Sequence, residues 1–315
     1  MEKMTIGISA CLLGEKVRYD GGHKHDRFLT DTLGKYVIYR PVCPEVECGL
    51  GVPREAMRLT GHPEYPRLVT IRTRQDHTER MIQWAQQRVK ELEAEGLCGF
   101  IFKSDSPSSG MERVKVYPEN GIPEKKGVGL FARIFMAHFP LIPVEEEGRL
   151  HDPLIRENFI ERIFSMQRWA DTVKTGKSKQ KLIEFHMRHK LLILAHSEKH
   201  ERMMGRMVAA IGRSSLSNVF AQYQALLMEA LQLKATPRKQ ANVLQHMMGY
   251  FKERLTSDEK QELLETIDQF RMGCVPLIVP VTLIRHYVRK NDQSYLRAQY
   301  YLDQHPLELQ MRNHG

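Results

Sequence analysis

Three short apolar runs, residues 4–10, 36–42 and 97–103, do most to limit what this chain folds into. Each is strand-sized, and each passes straight into a loop carrying cysteine, serine or proline. Helical patterns separate them. Residues 25–33 predict a helix closed by Gly34. Residues 77–95 predict one with an apolar stripe at Met81, Ile82, Ala85, Val89 and Leu92, ended by Gly96. Residues 129–138 predict a third, and weaker strands are expected at 68–73 and 141–144. This alternation predicts a Rossmann-like α/β domain, a mostly parallel sheet with helices on both faces. In such sheets the loops at the carboxyl ends of the strands converge on one crevice. Residues far apart in sequence are therefore expected to share a site.

The pattern changes past the midpoint. Residues 152–172 predict a helix, 174–179 a short polar connection, and everything from 180 onward is helical. Leu216, Phe220, Tyr223, Leu227 and Leu231 form one apolar face. Residues 242–255 and 257–270 predict two further helices, with Thr256 or Ser257 as N-cap of the second. A chain of 315 residues is long enough for two cores. The expected division is an α/β domain over 1–165, a helix end and linker over 166–179, and an all-α domain over 180–315.

Charge follows the same division. Residues 1–165 carry 24 basic and 24 acidic side chains, and residues 166–315 carry 23 and 14, so the net charge of +9 lies wholly in the second half. A one-sided basic balance predicts a polyanionic partner such as RNA. His186, His189, His196 and His200, with Arg188, Lys190, Lys199, Arg202 and Arg206, are expected to form its surface. The longest apolar stretch, 274–284, is short and carries Pro276 and Pro280, so it does not span a bilayer. Too few apolar residues precede Ile8-Ser9-Ala10-Cys11 for a secretion signal, so a cytoplasmic location is expected.

Five cysteines, an odd number, argue against a disulfide framework. Cys98 and Cys274 stand in apolar runs and are expected in the core. Cys11, Cys43 and Cys48 stand in loops beside glycine and proline. Thiolates in such loops ligate zinc or iron–sulfur clusters; three without an obvious fourth suit a cluster with one open iron, while unrelated buried thiols are the plain alternative. Glu45 lies between two of these cysteines, where a carboxylate has the means to transfer protons. The hydroxyl-rich loop of Ser104, Ser106, Ser108 and Ser109 is a candidate substrate cradle or an ordinary polar turn.

The segments SACLLG, VRYDG, CPEVECGLGVPR, SPSSG and PVEEEGRL, in this order, resemble the TudS family of thiouracil desulfidases over roughly residues 5–164. HMRHKLLILAHSEKH, HMMGYFK, PLIVPVTLIRHY and MRN resemble the YbgA-type helical domain. Their fusion resembles the RudS group of tRNA desulfidases. The resemblance implies a 4Fe–4S cofactor, tRNA as partner, and removal of sulfur from thiolated uridine, 4-thiouridine first. It implies Glu45 and Ser106 as acid/base and positioning groups, with Ser104 and Ser108 as weaker candidates. Arg18 and Asp20 are expected either to shape the pocket or to pair with each other. The TudS pattern has cysteine where Ser109 stands and glycine where Cys48 stands. Cluster ligands at Cys11, Cys43 and Cys48 are therefore implied. No membrane and no obligate protein partner is expected. The competing reading is a nucleic-acid-binding protein whose cluster is structural or senses redox state; a structural zinc protein is a third.

Overall fold

The computed structural model describes residues 3–118, 121–212 and 215–303, together with Pro306 and Leu309. The MRN motif, residues 311–313, lies outside them. The chain divides into two compact units, Met1–Phe159 and Ile160–Gly315.

The first unit is built on a parallel sheet in the order β2-β1-β5-β8, from β1 (Met4–Ser9), β2 (Val37–Val42), β5 (Leu97–Phe102) and β8 (Val144–Glu146). All six residues of β5 are buried, as a strand covered on both faces requires. Gly7 on β1 makes room for its neighbour: a Cβ there would sit 2.2 Å from the Phe100 ring. Helices α2 (Thr78–Glu93) and α3 (Leu130–His138) cover one face, burying Ala85, Val89, Leu92, Phe131 and Phe135 against Phe100 and Phe102. Ser9 pairs with Val42 and Ile8 with Ile101, so the three loops that follow β1, β2 and β5 leave the sheet side by side.

A second four-stranded sheet was not expected. It runs β4-β3-β6-β7, from β3 (Met57–His62), β4 (Tyr65–Thr70), β6 (Val114–Tyr117) and β7 (Glu124–Gly127), and only its β3–β6 pair is parallel. Residues 68–73, expected in the main sheet, contribute to β4 instead. These strands are short, and in β7 three of four residues are exposed, so no apolar run announces them. Residues 25–33 form only a wide turn at Phe28–Thr32 and a tight one at Leu33–Lys35.

The second unit is helical throughout: the latter part of α4 (Pro153–Lys174), then α5 (Lys179–His196), α6 (Glu198–Ala209), α7 (Leu216–Gln232), α8 (Pro237–Gly249), α9 (Ser257–Arg271), α10 (Ile278–Lys290) and α11 (Ser294–Arg297). Hydroxyl side chains start five of them, and Thr256 forms a reciprocal capping box with Glu259. Trp169 anchors the core, stacked on Tyr223 at 5.2 Å between ring centres. Phe220, Tyr223, Leu227 and Leu231 are buried as expected. Residues 174–179 are the end of α4, a turn and the start of α5. Cys98 is buried, but Cys274 is exposed: it follows Gly273, whose left-handed φ of +79° turns the chain out of α9.

Candidate active site

The loops after β1, β2 and β5 enclose a cavity of 440 Å³ whose wall includes Cys11, Cys43, Glu45, Ser104, Ser106 and Ser109. Cys11 sits in a tight turn, Ala10–Leu13, closed by Gly14 in the left-handed conformation (φ +93°). Its carbonyl accepts from the Lys24 amide at 2.9 Å. Cys43 caps the single-turn helix α1 (Pro44–Glu47), with Pro44 at the first helical position and the Glu47 carboxylate accepting from the Cys43 amide at 2.8 Å. Two arginines of α2 hold this turn from behind: Arg80 donates to the Cys48 carbonyl at 2.7 Å, and Arg88 pairs with Glu47 at 3.1 Å.

The sequence placed Cys48 with the other two thiols. The structure puts its side chain behind α1, among Leu59, Leu68, Met81 and Leu130, with its S–H directed at the Glu45 carbonyl 3.3 Å away. Among the described residues no three His, Cys, Asp or Glu side chains stand in metal-holding geometry.

Glu45 is the best-held polar group of the cavity. Its Oε1 accepts from the Ser108 hydroxyl at 2.6 Å, its Oε2 lies 3.6 Å from the Cys43 sulfur, and Arg54 approaches to 3.7 Å. Since the Ser108 proton points to Glu45, Ser106 donates in the 3.0 Å contact between the two hydroxyls. The amides of Ser108 and Ser109 in turn point at the Ser106 oxygen, 3.3 and 3.1 Å away. The start of α3 fixes this loop: the amides of Phe131 and Ala132 bond the Ser108 carbonyl, and Gly129 lies so close that a Cβ would meet the same carbonyl at 2.5 Å. Ser104 is tied elsewhere. Its amide and hydroxyl both bond Glu147, which also holds Lys103 at 2.5 Å. Sequence reasoning underweighted Ser108 and missed Arg54 and Glu147. The last two stand within quoted motifs, but nothing in those motifs says which charge faces the cavity.

Burial pushes the Cys11 thiol up to about 11, against the opposing pull of Lys103. Burial, and then the Glu45 charge, push Cys43 up to about 12, and burial raises Cys48 as well. These sulfurs stay protonated at neutral pH unless positive charge binds them, so metal binding would release protons. Arg18 both lines the cavity and stands 3.7 Å from Asp20.

In the second unit the expected RNA surface needs correction. His186, His189, His196 and His200 are all buried. Arg168 donates to His189 at 3.0 Å, His196 bonds Glu161, and His186 bonds the Tyr223 hydroxyl. Burial holds His186 down to about 4 and His189 well below its usual range. His186, His189 and His196 stand among the buried positions of α5 and His200 among those of α6, so they are core contacts rather than a solvated face. The basic side chains fare differently. Lys190, Lys199, Arg202 and Arg206 are exposed, while Arg188 is half-buried with its guanidinium 4.6 Å from the Tyr300 ring centre. Arg188, Lys190 and Arg202 pair with Glu184, Glu201 and Glu198. Lys199 and Arg206 form no ion pair among the described residues.

Residues 6–147 match the model of the 2-thiouracil desulfurase family, and residues 190–306 that of a family of unknown function, DUF1722. The uncharacterized protein YbgA of Escherichia coli (strain K12) is 34% identical over 155 residues, 49% of this chain and 92% of YbgA. The chain belongs to both families: a 2-thiouracil desulfurase domain is fused to a YbgA-like domain. A solved structure, the [4Fe-4S]-dependent thiouracil desulfidase TudS, is 31% identical across 48% of this chain and 95% of its own, with a TM-score of 0.41. The desulfurase match contains every cavity residue named above, and the DUF1722 match contains Lys190, Lys199, Arg202 and Arg206. Among the described residues, no helix is long and apolar enough to cross a membrane.

Proposed function

We propose that this protein removes sulfur from thiolated uridine in tRNA, with 4-thiouridine as the base, giving uridine and sulfide. The observation that carries this reading is the Glu45 carboxylate, fixed by Ser108 beside the Cys43 thiol in a cavity of ligand size. Membership of the desulfurase family supports the reaction class.

The cofactor we propose is a 4Fe–4S cluster on Cys11, Cys43 and Cys48. Cys11 and Cys43 present two soft sulfurs to the cavity; the Cys48 sulfur, which ends the same short helical turn, would have to leave its packing beside Leu59 and Met81 to complete the set. When bound, such a cluster supplies an open iron, a soft Lewis acid suited to a thiocarbonyl sulfur. The chain's own groups do the rest. Glu45 takes a proton from the water that attacks the base carbon and returns it to the departing sulfur. The Ser108 hydroxyl keeps that carboxylate oriented. Ser106 supports the Ser108 hydroxyl and is itself held by two loop amides, so it positions the acid/base pair, and Ser104, fixed by Glu147, positions the start of the loop. The carbon exchanges sulfur for oxygen, with no net oxidation or reduction.

The proposed tRNA partner rests on the basic excess of residues 166–315 and on the uncommitted charges of Lys199 and Arg206. Anaerobic incubation of the cluster-loaded chain with thiolated tRNA, followed by nucleoside analysis, should show 4-thiouridine falling and uridine rising. An unchanged 4-thiouridine content would end the proposal.

A further inference from the structure

A second cavity, of 590 Å³, lies in the helical unit, lined by α5, α6 and α11. Its walls are apolar: Ile183, Met187, Val208 and Ala209. Ile183 and Met187 are large side chains left 50% and 41% exposed. On one side stands Tyr295, stacked on Tyr250 with ring centres 5.0 Å apart and planes 19° from parallel. On the other stands His186, which is 8% exposed. Its Nδ1 is taken by the Tyr223 hydroxyl at 3.1 Å, while its Nε2 has no hydrogen-bond partner among the described residues. Gly205, inside α6, leaves that nitrogen open: a Cβ there would sit 3.6 Å from Nε2 and cover it. Glycine in a helix interior is unfavourable, so the opening carries a cost in stability. Lys190 and Glu201 line the mouth, 3.6 Å apart; Arg206, which follows Gly205 on α6 outside the lining, is exposed and unpaired among the described residues.

An apolar slot, one flat aromatic wall, one open imidazole nitrogen and a lysine at the rim describe a receptor for an unstacked nucleobase attached to phosphate. A lipid tail would use the apolar walls but not the imidazole, and neither it nor an ordinary peptide would bring phosphate to Lys190. We infer that this cavity takes a single unpaired base of the RNA partner, stacked beside Tyr295 and hydrogen-bonded to His186 Nε2, with its phosphates near Lys190 and Arg206. The inference rests on the reading of tRNA as partner and adds a point of recognition remote from the chemistry.

The test uses the full cluster-loaded chain and unmodified tRNA, with affinity measured as a function of salt. Gly205→Leu fills the slot without changing charge, and Gly205→Ala covers only the imidazole nitrogen. Stacking of one base is lost in the first, so affinity should fall roughly tenfold or more while the slope against salt stays that of wild type. Gly205→Ala should fall in the same direction with an unchanged or higher melting temperature, because alanine favours the helix. If Gly205→Leu does not fold, Gly205→Ala alone decides. Wild-type affinity in a folded variant overturns the inference and leaves the tRNA reading standing. No binding of tRNA by the wild-type chain overturns both.

Discussion

The Ser108 hydroxyl donates a 2.6 Å hydrogen bond to the Glu45 carboxylate across 63 residues of chain. It joins the loop after β5 to the helical turn after β2, and it fixes the Glu45 carboxylate at the wall of the cavity.

Ser108→Ala should therefore cost about 1.5–3 kcal/mol of stability, the usual loss for a hydrogen bond to a charged group. Glu45→Gln should keep the cluster and lose on the order of a hundredfold or more in turnover. The alanine variant should fall between it and wild type. Thermal melts and desulfidation rates measured together check this; a normal rate in Ser108→Ala would mean Glu45 needs no such support.

Iron content tests the thiols. Serine at Cys11, Cys43 or Cys48 should bleach the protein, while serine at Cys98 or Cys274 should not. Ser109→Cys in the Cys48→Ser background should restore colour, because position 109 lines the cavity directly. Full iron in Cys48→Ser itself would show that its sulfur stays where it packs, among Leu59 and Met81.

How much of this was legible beforehand depends on how local each feature is. β1, β2, β5, α2 and the helical half follow from the sequence pattern, because strand-sized apolar runs that end in loops, and helical stripes, leave few alternatives. The second sheet does not, since β6 and β7 have four residues each, β6 pairing with β3 and β7 with β6. Cys11, Cys43, Glu45 and Ser106 stand in the cavity as motif order suggested. Cys48 shows the limit of that reasoning. Spacing places it within reach of Cys43, but the direction of its side chain is set by the capping of α1 and by Arg80, neither visible as a pattern. The buried histidines failed similarly: they pair inside the helical core with Arg168, Glu161 and Tyr223, partners distant in sequence that no local pattern reveals.

Acid should loosen the helical unit. Burial depresses His186 to about 4, with Lys190 adding to the effect, and His189 is held well below its usual range. Both are neutral when folded and bind protons more readily when unfolded. Their stabilising contribution is complete above pH ~6.5 and is lost as pH falls toward 4, by about 3 kcal/mol for His186 alone. Melting temperature against pH should show this decline, and His186→Gln should shallow it. An equally steep decline in that variant would place the acid sensitivity elsewhere.

RNA affinity should depend unequally on the basic residues. Lys199→Glu and Arg206→Glu together should weaken tRNA binding and reduce the salt slope by roughly two, one for each lost phosphate contact. Arg202→Glu and Lys190→Glu should do less, since Glu198 and Glu201 already offset those charges. Identical slopes in all variants would put the phosphate contacts outside α5 and α6.

The order of the main sheet carries a consequence for how the protein is made. β1 lies between β2 and β5, and the Lys103 amide reaches back across 94 residues to the Ser9 hydroxyl. On a ribosome the thiols of Cys11 and Cys43 emerge long before the hydroxyl that aims Glu45. The nascent chain thus exposes reactive sulfur for a period in which it has no means of using it. Cluster delivery and completion of β5 are two clocks, and the second sets the earliest moment at which the first is useful.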